Sequence, residues 1–342
     1  MFFRSLSITT IFLSVLTIPA ITEIELEDCI LKIDSKAFNI KGICWNPVIK
    51  GFDQREGLAF RTGSPAYDLE FIERDLKLIA NAGFNTLRPY SPITDQAVLE
   101  LIEKYELMVI VPVLNFHEVT DFRIRLLVKR LANHPTTLLW EIGNEWNYNN
   151  FYNPKGEFDK SLERIQETIS LIRSTENRLP ISTNYGELPS KETVEALDVD
   201  IWGLNIYRSD NFRDLFKDWK ALSGKPIYLG EYGADAIDNA NGDGRYSPEA
   251  QAHAVKVLTQ QIMAQYSSNG KGQLLGAALF EFADEWWKDK NGDPDVHDIG
   301  GIAPGGGPYP DLEFNEEWWG IVDIDRNPRL AYQAIKDLYS EN

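Results

Sequence analysis

Thr137–Glu145 reads TLLWEIGNE, an apolar run that passes through one glutamate and ends in Gly-Asn-Glu. Seven other stretches are built in a similar way: Phe38–Trp45, Phe84–Tyr90, Leu107–Asn115, Leu179–Asn184, Val199–Tyr207, Pro226–Tyr232 and Gln273–Phe282. Most are continuous hydrophobic runs, which marks strands buried on both faces of a parallel sheet. Amphipathic segments lie between them. Asp68–Ala82 carries Leu69, Ile72, Leu76, Ile79 and Ala80 at helical spacing and stops at Gly83. Comparable helices fit Asp95–Tyr105, Phe122–Asn133, Asp159–Arg173, Asn211–Leu222, Pro248–Tyr266 and Arg329–Tyr339, with a short one at Lys191–Leu197. Eight strands each followed by a helix predict an α/β fold, a single (β/α)8 TIM barrel. A doubly wound open sheet is disfavoured, because no G-x-G-x-x-G follows the first strand.

The ends of the chain complete the outline. Met1–Arg4 carries a positive charge and Ile8–Ala20 is apolar, after which the chain turns acidic at Glu23, Glu25, Glu27 and Asp28. This is the pattern of a secretory signal peptide over residues 1–20. The barrel is then expected to occupy 21–342, in a secreted or periplasmic protein. An uncleaved anchor is the other reading, although the run is short for a spanning helix. Cys29–Ile33, with a turn at Asp34–Lys36, predicts a short N-terminal hairpin. Cys29 and Cys44 form either a disulfide or two reduced thiols. The loops at 46–66 and 283–328 are long, and long loops in a compact domain are usually functional.

At 43% hydrophobic and 25% charged, the 342 residues can bury a large core. The net charge of −18 argues against nucleic acid or an anionic membrane as a partner. It suits a neutral ligand. No membrane association is expected once the leader is removed, and a monomer is expected.

In a barrel of this kind the site lies at the C-terminal ends of the strands. The fourth strand ends at Glu145 and the seventh runs into Glu231, across the mouth from each other. A charge at the end of an apolar strand is costly unless it has a task or a partner. Two facing carboxylates are what glycosidic bond cleavage needs, one as proton donor and one as nucleophile or base. Glu141 shares the fourth strand but lies deeper, so a buried ion pair is expected for it. Asp284 and Glu285 follow the eighth strand and are expected to order the loop or touch substrate. The tryptophans at strand ends and in the last loop offer faces for sugar rings. Trp286 is the expected platform and Trp146 a further contact, with one tryptophan of each pair anchoring the loop. Asn115 and His117, after the third strand, are candidate substrate contacts. Residues 239–244 and 289–298 are rich in oxygen ligands, but neither has a well-placed final glutamate. No metal and no cofactor is needed for this chemistry.

W-E-I-G-N-E-W at 140–146 and Y-L-G-E-Y-G at 228–233 resemble the paired motifs of clan A glycoside hydrolases. The resemblance implies that Glu145 is the acid/base and Glu231 the nucleophile of a retaining double displacement. Within the clan the chain is most similar to the family 2 catalytic barrel and to the family 72 β-1,3-glucanosyltransferases. F-N-I-K-G-I-C-W-N-P at 38–47 and G-F-N-T-L-R-P-Y at 83–90 carry that likeness, as does G-L-N-I-Y-R at 203–208. It implies that Arg88 holds the nucleophile ionised, that Tyr207 donates to it, and that Asn144 binds the sugar 2-hydroxyl. The expected substrate is an oligo- or polysaccharide, a β-glucan with β-1,3 links favoured, cleaved by water or transferred to a sugar. The alternative is an exo-acting β-galactosidase, β-mannosidase or β-glucuronidase of the family 2 type. A catalytically inactive carbohydrate-binding barrel is the alternative from another class.

Overall fold

The computed structural model describes residues 22–52, 56–270, 272–288, 292–299 and 307–341. The expected signal peptide lies outside the described residues. The chain enters through three antiparallel strands, β1 (Ile24–Glu27), β2 (Ile30–Ile33) and β3 (Lys36–Ala37). Eight parallel strands follow and close into a barrel. They are β4 (Ile40–Cys44), β5 (Thr86–Arg88), β6 (Met108–Leu114), β7 (Thr137–Ile142), β8 (Ile181–Gly186), β9 (Ile201–Asn205), β10 (Ile227–Tyr232) and, after a small pair β11 (Ile237–Asp238) and β12 (Arg245–Tyr246), β13 (Leu274–Leu279). Closure runs through β13, which pairs with β10 on one side and β4 on the other, Gly276 facing Ile40 and Leu279 facing Ile43. The fold is therefore an α/β TIM barrel with a short N-terminal antiparallel sheet.

The helices are α1 (Leu69–Asn81), α2 (Gln96–Lys104), α3 (Asp121–Leu131), α4 (Trp146–Asn149), α5 (Phe158–Thr175), α6 (Lys191–Ala196), α7 (Leu215–Leu222), α8 (Pro248–Ala264) and α9 (Leu330–Ser340). Local chemistry starts several of them. Asp68, Asp95, Thr120 and Ser190 each accept a backbone N–H of the first turn of α1, α2, α3 and α6. Pro248 opens α8, where its missing N–H costs nothing. The helix expected from Asn211 begins only at Leu215, because Arg213 sits at φ 53°, outside helical space.

Ile43, Leu87, Val111, Leu139, Ile201 and Leu229 are among the buried apolar residues of the barrel wall. The strands end sooner than the apolar runs that announce them. β7 stops at Ile142 because Gly143 turns the chain at φ 76°. A side chain there would also meet the rings of Phe151 and Trp146 at 2.9 and 3.0 Å. The two cysteines lie at opposite ends of β10. Cys29 Sγ contacts the Gly224 carbonyl below it, and Cys44 Sγ the Gly230 carbonyl near its top. Both are free thiols. Among the described residues, no helix is long and apolar enough to cross a membrane.

Candidate active site

A cavity of about 820 Å³ opens at the C-terminal end of the barrel. Its floor is built from residues at or just past the ends of β5, β7, β9 and β10. Glu231, on β10, is buried and accepts three hydrogen bonds. Arg88 Nη1 and the Tyr90 hydroxyl donate to Oε1 at 3.0 and 2.8 Å, and the Tyr207 hydroxyl donates to Oε2 at 2.8 Å. Three donors converging on two oxygens suit a carboxylate, which is an acceptor only.

Glu145 stands opposite, one residue before α4. Its backbone is left-handed, φ 49° and ψ 35°, a region that costs a side chain other than glycine about 1–2 kcal/mol. The turn is pinned by its own N–H donating to the Asn184 carbonyl at 3.1 Å. Asn205 Nδ2 donates to Glu145 Oε1 at 3.1 Å. Burial pushes the carboxyl up to about 7, and the neighbouring charge of Glu231 adds to the shift. The two carboxylates thus differ in their partners: Glu231 is ringed by a cation and two phenols, while Glu145 has one amide donor.

Arg88 organises the floor. It is wholly buried and pairs with Glu141 through Nε at 2.9 Å, with Glu231 through Nη1, and with Asn144 Oδ1 through Nη2 at 2.7 Å. Glu141 also accepts from the Tyr228 hydroxyl, so it forms the buried ion pair expected of it. Beside Arg88, on the neighbouring strand, lies Cys44, whose thiol burial pushes up to about 12. That thiol is an inert filler of the floor.

The structure brings Glu145, Glu231, Arg88, Asn144 and Tyr207 together and separates the rest. Trp146 is fully buried, donates to Thr183 Oγ1 at 3.0 Å and packs on Tyr185, so it supports the wall from behind. Trp286 is 5% exposed and faces the core; its neighbour Trp287 lines the cavity instead. The two rings meet edge to face at 5.7 Å, which is the anchor-and-platform division expected of the pair with its members exchanged. Asn115 is buried and donates to the Tyr90 carbonyl at 2.9 Å, steadying the residue that reaches Glu231. His117 does not line the cavity; it is half-exposed and pairs with Glu118 at 3.3 Å. Asp284 orders the last loop through Arg329, whereas Glu285 lines the cavity.

Tyr90 and Asn205 escaped the sequence reading. Each stands two residues from one that was singled out, Arg88 and Tyr207, and alternate residues of an extended chain face the same side. That periodicity was the available signal. Among the described residues, no group of three or more His, Cys, Asp or Glu is placed to hold a metal. The oxygen-rich turn at 239–244 is braced by hydrogen bonds, Asn239 taking the Gly244 N–H and donating to Glu313. The other, 289–298, lies partly outside the described residues.

Comparison with known proteins returns the same architecture. The family described as "Glycosyl hydrolases family 2, TIM barrel domain" matches residues 115–298. Among curated relatives, the chain is 25% identical over 303 residues to a β-glucuronidase of Rattus norvegicus, covering 80% of this chain and 41% of the relative. It is 22% identical over 341 residues to a β-galactosidase of Oenococcus oeni, covering 92% and 28%. Among solved structures, it resembles a family 2 β-galacturonidase from Eisenbergiella tayi bound to galacturonate, with TM-score 0.64, 21% identity, and 94% and 54% of the two chains covered. A β-glucuronidase of Bacteroides uniformis superposes with TM-score 0.66 at 17% identity, covering 93% and 37%. The chain spans between 22% and 41% of the length of the curated relatives it matches. Of the two families whose motifs it resembles, the comparisons favour family 2 over family 72. The family match covers more than half of the chain, and the chain belongs to the glycosyl hydrolases of family 2 through their TIM barrel domain.

Proposed function

We propose that this protein is a retaining β-glycosidase of the family 2 type, exo-acting on a neutral pyranoside, with Glu145 as acid/base and Glu231 as nucleophile. The observation that carries the reading is the asymmetry of the two carboxylates across one cavity. A carboxyl raised to about 7 keeps its proton up to neutral pH, while three donors converge on its partner. In the first step a Glu231 oxygen attacks the anomeric carbon, the bond to the leaving oxygen breaks, and the Glu145 proton goes to that oxygen. The glycosyl ester has no negative charge, so Glu145 then titrates without its neighbour's repulsion and takes a proton from water. That water displaces Glu231, and two inversions give net retention. Asn144 directs its oxygen to Arg88 and Asn205, which leaves its amide nitrogen for a substrate hydroxyl.

The charges around the cavity argue for a neutral sugar. Besides the protonated Glu145, the acids Glu118, Glu187, Glu231, Glu285 and Glu316 line it, against Arg61 and Lys288, with Glu231 paired to Arg88 and Glu187 to Arg208. Lys288 is itself engaged by Glu285 at 3.1 Å and Glu316 at 3.8 Å. A β-uronide is the second reading, supported by the names of the relatives and by Lys288 in the wall. The volume lies in the range of small-ligand pockets, roughly 300–1,000 Å³, which suits a sugar with its aglycone better than a polymer such as β-1,3-glucan. The leader-like N-terminus supports an extracytoplasmic setting.

The test is a panel of nitrophenyl β-galactoside, β-glucoside, β-mannoside, β-glucuronide and β-galacturonide, with the first-formed anomer read by NMR. Turnover of a neutral member with the β-anomer appearing first is the expected result. Preference for a uronide would select the second reading. An initial α-anomer, or activity surviving Glu231→Ala, would overturn the mechanism.

A further inference from the structure

We infer that Phe116, Tyr148 and Tyr152 form an aglycone subsite, an aromatic shelf beside Glu145 that takes a ring with a flat apolar face. The inference rests on the proposed acid role of Glu145 and extends it to the group that leaves. Phe116 follows β6, while Tyr148 and Tyr152 follow β7; all three line the cavity. The rings of Phe116 and Tyr152 stack, with centroids 5.3 Å apart and planes at 30°. Tyr152 is 56% exposed and Tyr148 49%, so large apolar faces stand in water at the mouth of a site.

The backbone shows that this placement is held against resistance. Asn150, Phe151 and Tyr152 are all left-handed, at φ 47°, 57° and 56°. Three such residues in succession are disfavoured without glycine. Such outliers persist where surrounding contacts over-determine them. Here Phe151 is buried, Asn149 Oδ1 accepts the Phe151 N–H at 2.8 Å, and the Phe151 carbonyl accepts the His117 N–H at 3.0 Å. Asn149 Nδ2 also donates to the Asn144 carbonyl at 2.7 Å, which ties the turn to the residue preceding Glu145. The result of these bonds is a tyrosine laid on Phe116 with one face to the cavity. Tyr148 is set by close approach to Gly186, where an added Cβ would lie 2.2 Å from its ring.

Direction follows from chemistry. An acid must lie next to the oxygen it protonates, so the leaving group passes on the side of Glu145, where the loops after β6 and β7 stand. A ring face fits the shelf, either that of an aryl aglycone or the C–H face of a second pyranose.

The experiment compares kcat/KM for nitrophenyl, methyl and disaccharide β-glycosides of the best sugar, in wild type, Tyr152→Ala and Tyr152→Phe. In Tyr152→Ala the ratio of nitrophenyl to methyl should fall about 2–12-fold, the range of an aromatic contact, and Tyr152→Phe should keep it. A parallel fall in the disaccharide-to-methyl ratio assigns a second sugar to the shelf; a fall for the nitrophenyl substrate alone assigns an aryl group. Unchanged ratios overturn the shelf, whatever the absolute rates. If wild type cleaves no glycoside, the glycosidase reading fails by itself. Calorimetric titration of the nitrophenyl and methyl glycosides then decides the shelf, and equal affinities in wild type and Tyr152→Ala refute it.

Discussion

Replacing Glu145 by glutamine removes the group whose proton the proposed reaction spends, and two independent consequences follow from one shift. The carboxyl is raised from 4.5 to about 7 by burial and then by Glu231. As an acid it must be protonated, so kcat/KM in the wild type should fall about tenfold per pH unit above 7. With a poor leaving group, Glu145→Gln should lose roughly 10²–10⁴ in kcat/KM. With a dinitrophenyl leaving group, which departs without a proton, glycosylation should survive and the basic limb should vanish. The same shift affects stability. The folded value lies above the unfolded one, so the protonated carboxyl's contribution is fully present below pH 4.5 and is lost as pH rises through 7. A rise of roughly 2.5 units at about 1.4 kcal/mol each is ~3 kcal/mol. Urea denaturation at pH 4 and pH 8 should show the wild type losing about that much relative to Glu145→Gln. A basic limb that persists in the variant with the dinitrophenyl substrate would refute the acid assignment. Parallel stability profiles would refute the shift itself.

Three further outcomes are expected. Trp286→Ala should cost about 3–5 kcal/mol of stability, because it empties a core position; Trp287→Ala should raise KM with a much smaller change in melting temperature. Arg88→Met leaves Glu141 and Glu231 buried without their cation and should destabilise by about 3–5 kcal/mol. A double replacement with Glu141→Leu should recover part of that loss in denaturation but none of the activity. A reductant should leave the melting temperature unchanged, since Cys29 and Cys44 are unlinked at opposite ends of β10; a drop on reduction would show a disulfide.

The barrel was legible because its strands are buried on both faces, so hydrophobicity alone outlines them, and because capping residues such as Asp68 and Ser190 mark helix starts. The carboxylate pair was legible because a charge ending an apolar strand has no packing explanation. The errors fall where direction, not composition, decides. Nothing in Trp286-Trp287 says which ring turns inward; the turn following β13 does. Trp146 follows a glutamate in the left-handed region, which sends its side chain behind the wall. Asn115 and His117 sit past the end of β6, where backbone direction is set by bonds to Tyr90 and Phe151 from other loops. The comparisons favour the family 2 alternative over the expected β-glucan, and the reason is similar. β-Glucan was favoured from motifs on the barrel floor, and those motifs do not encode the shape of the loops around the mouth.

Arg88 ties together the polar groups that the floor sets among apolar neighbours such as Cys44 and Phe280. One guanidinium contacts Glu141, Glu231 and Asn144, and its planar fork sets the angle between them. Were Glu141 absent, the full cation would fall on Glu231 and Asn144, and the fork could rotate toward the cavity. Glu141, itself held by the Tyr228 hydroxyl, grips it from below, so its direction is fixed in the folded protein. Burying this cluster gains little stability over an apolar one of equal volume. For the proposed reaction its value lies in preorganisation: the donors around Glu231 would need no rearrangement as charge moves to the sugar. The left-handed backbone at Glu145 works in the same direction, giving up about 1–2 kcal/mol locally to aim a carboxyl across the mouth. Both features place the cost in the folded state, where the hydrophobic barrel can bear it, and would spare the proposed reaction that cost at its transition state.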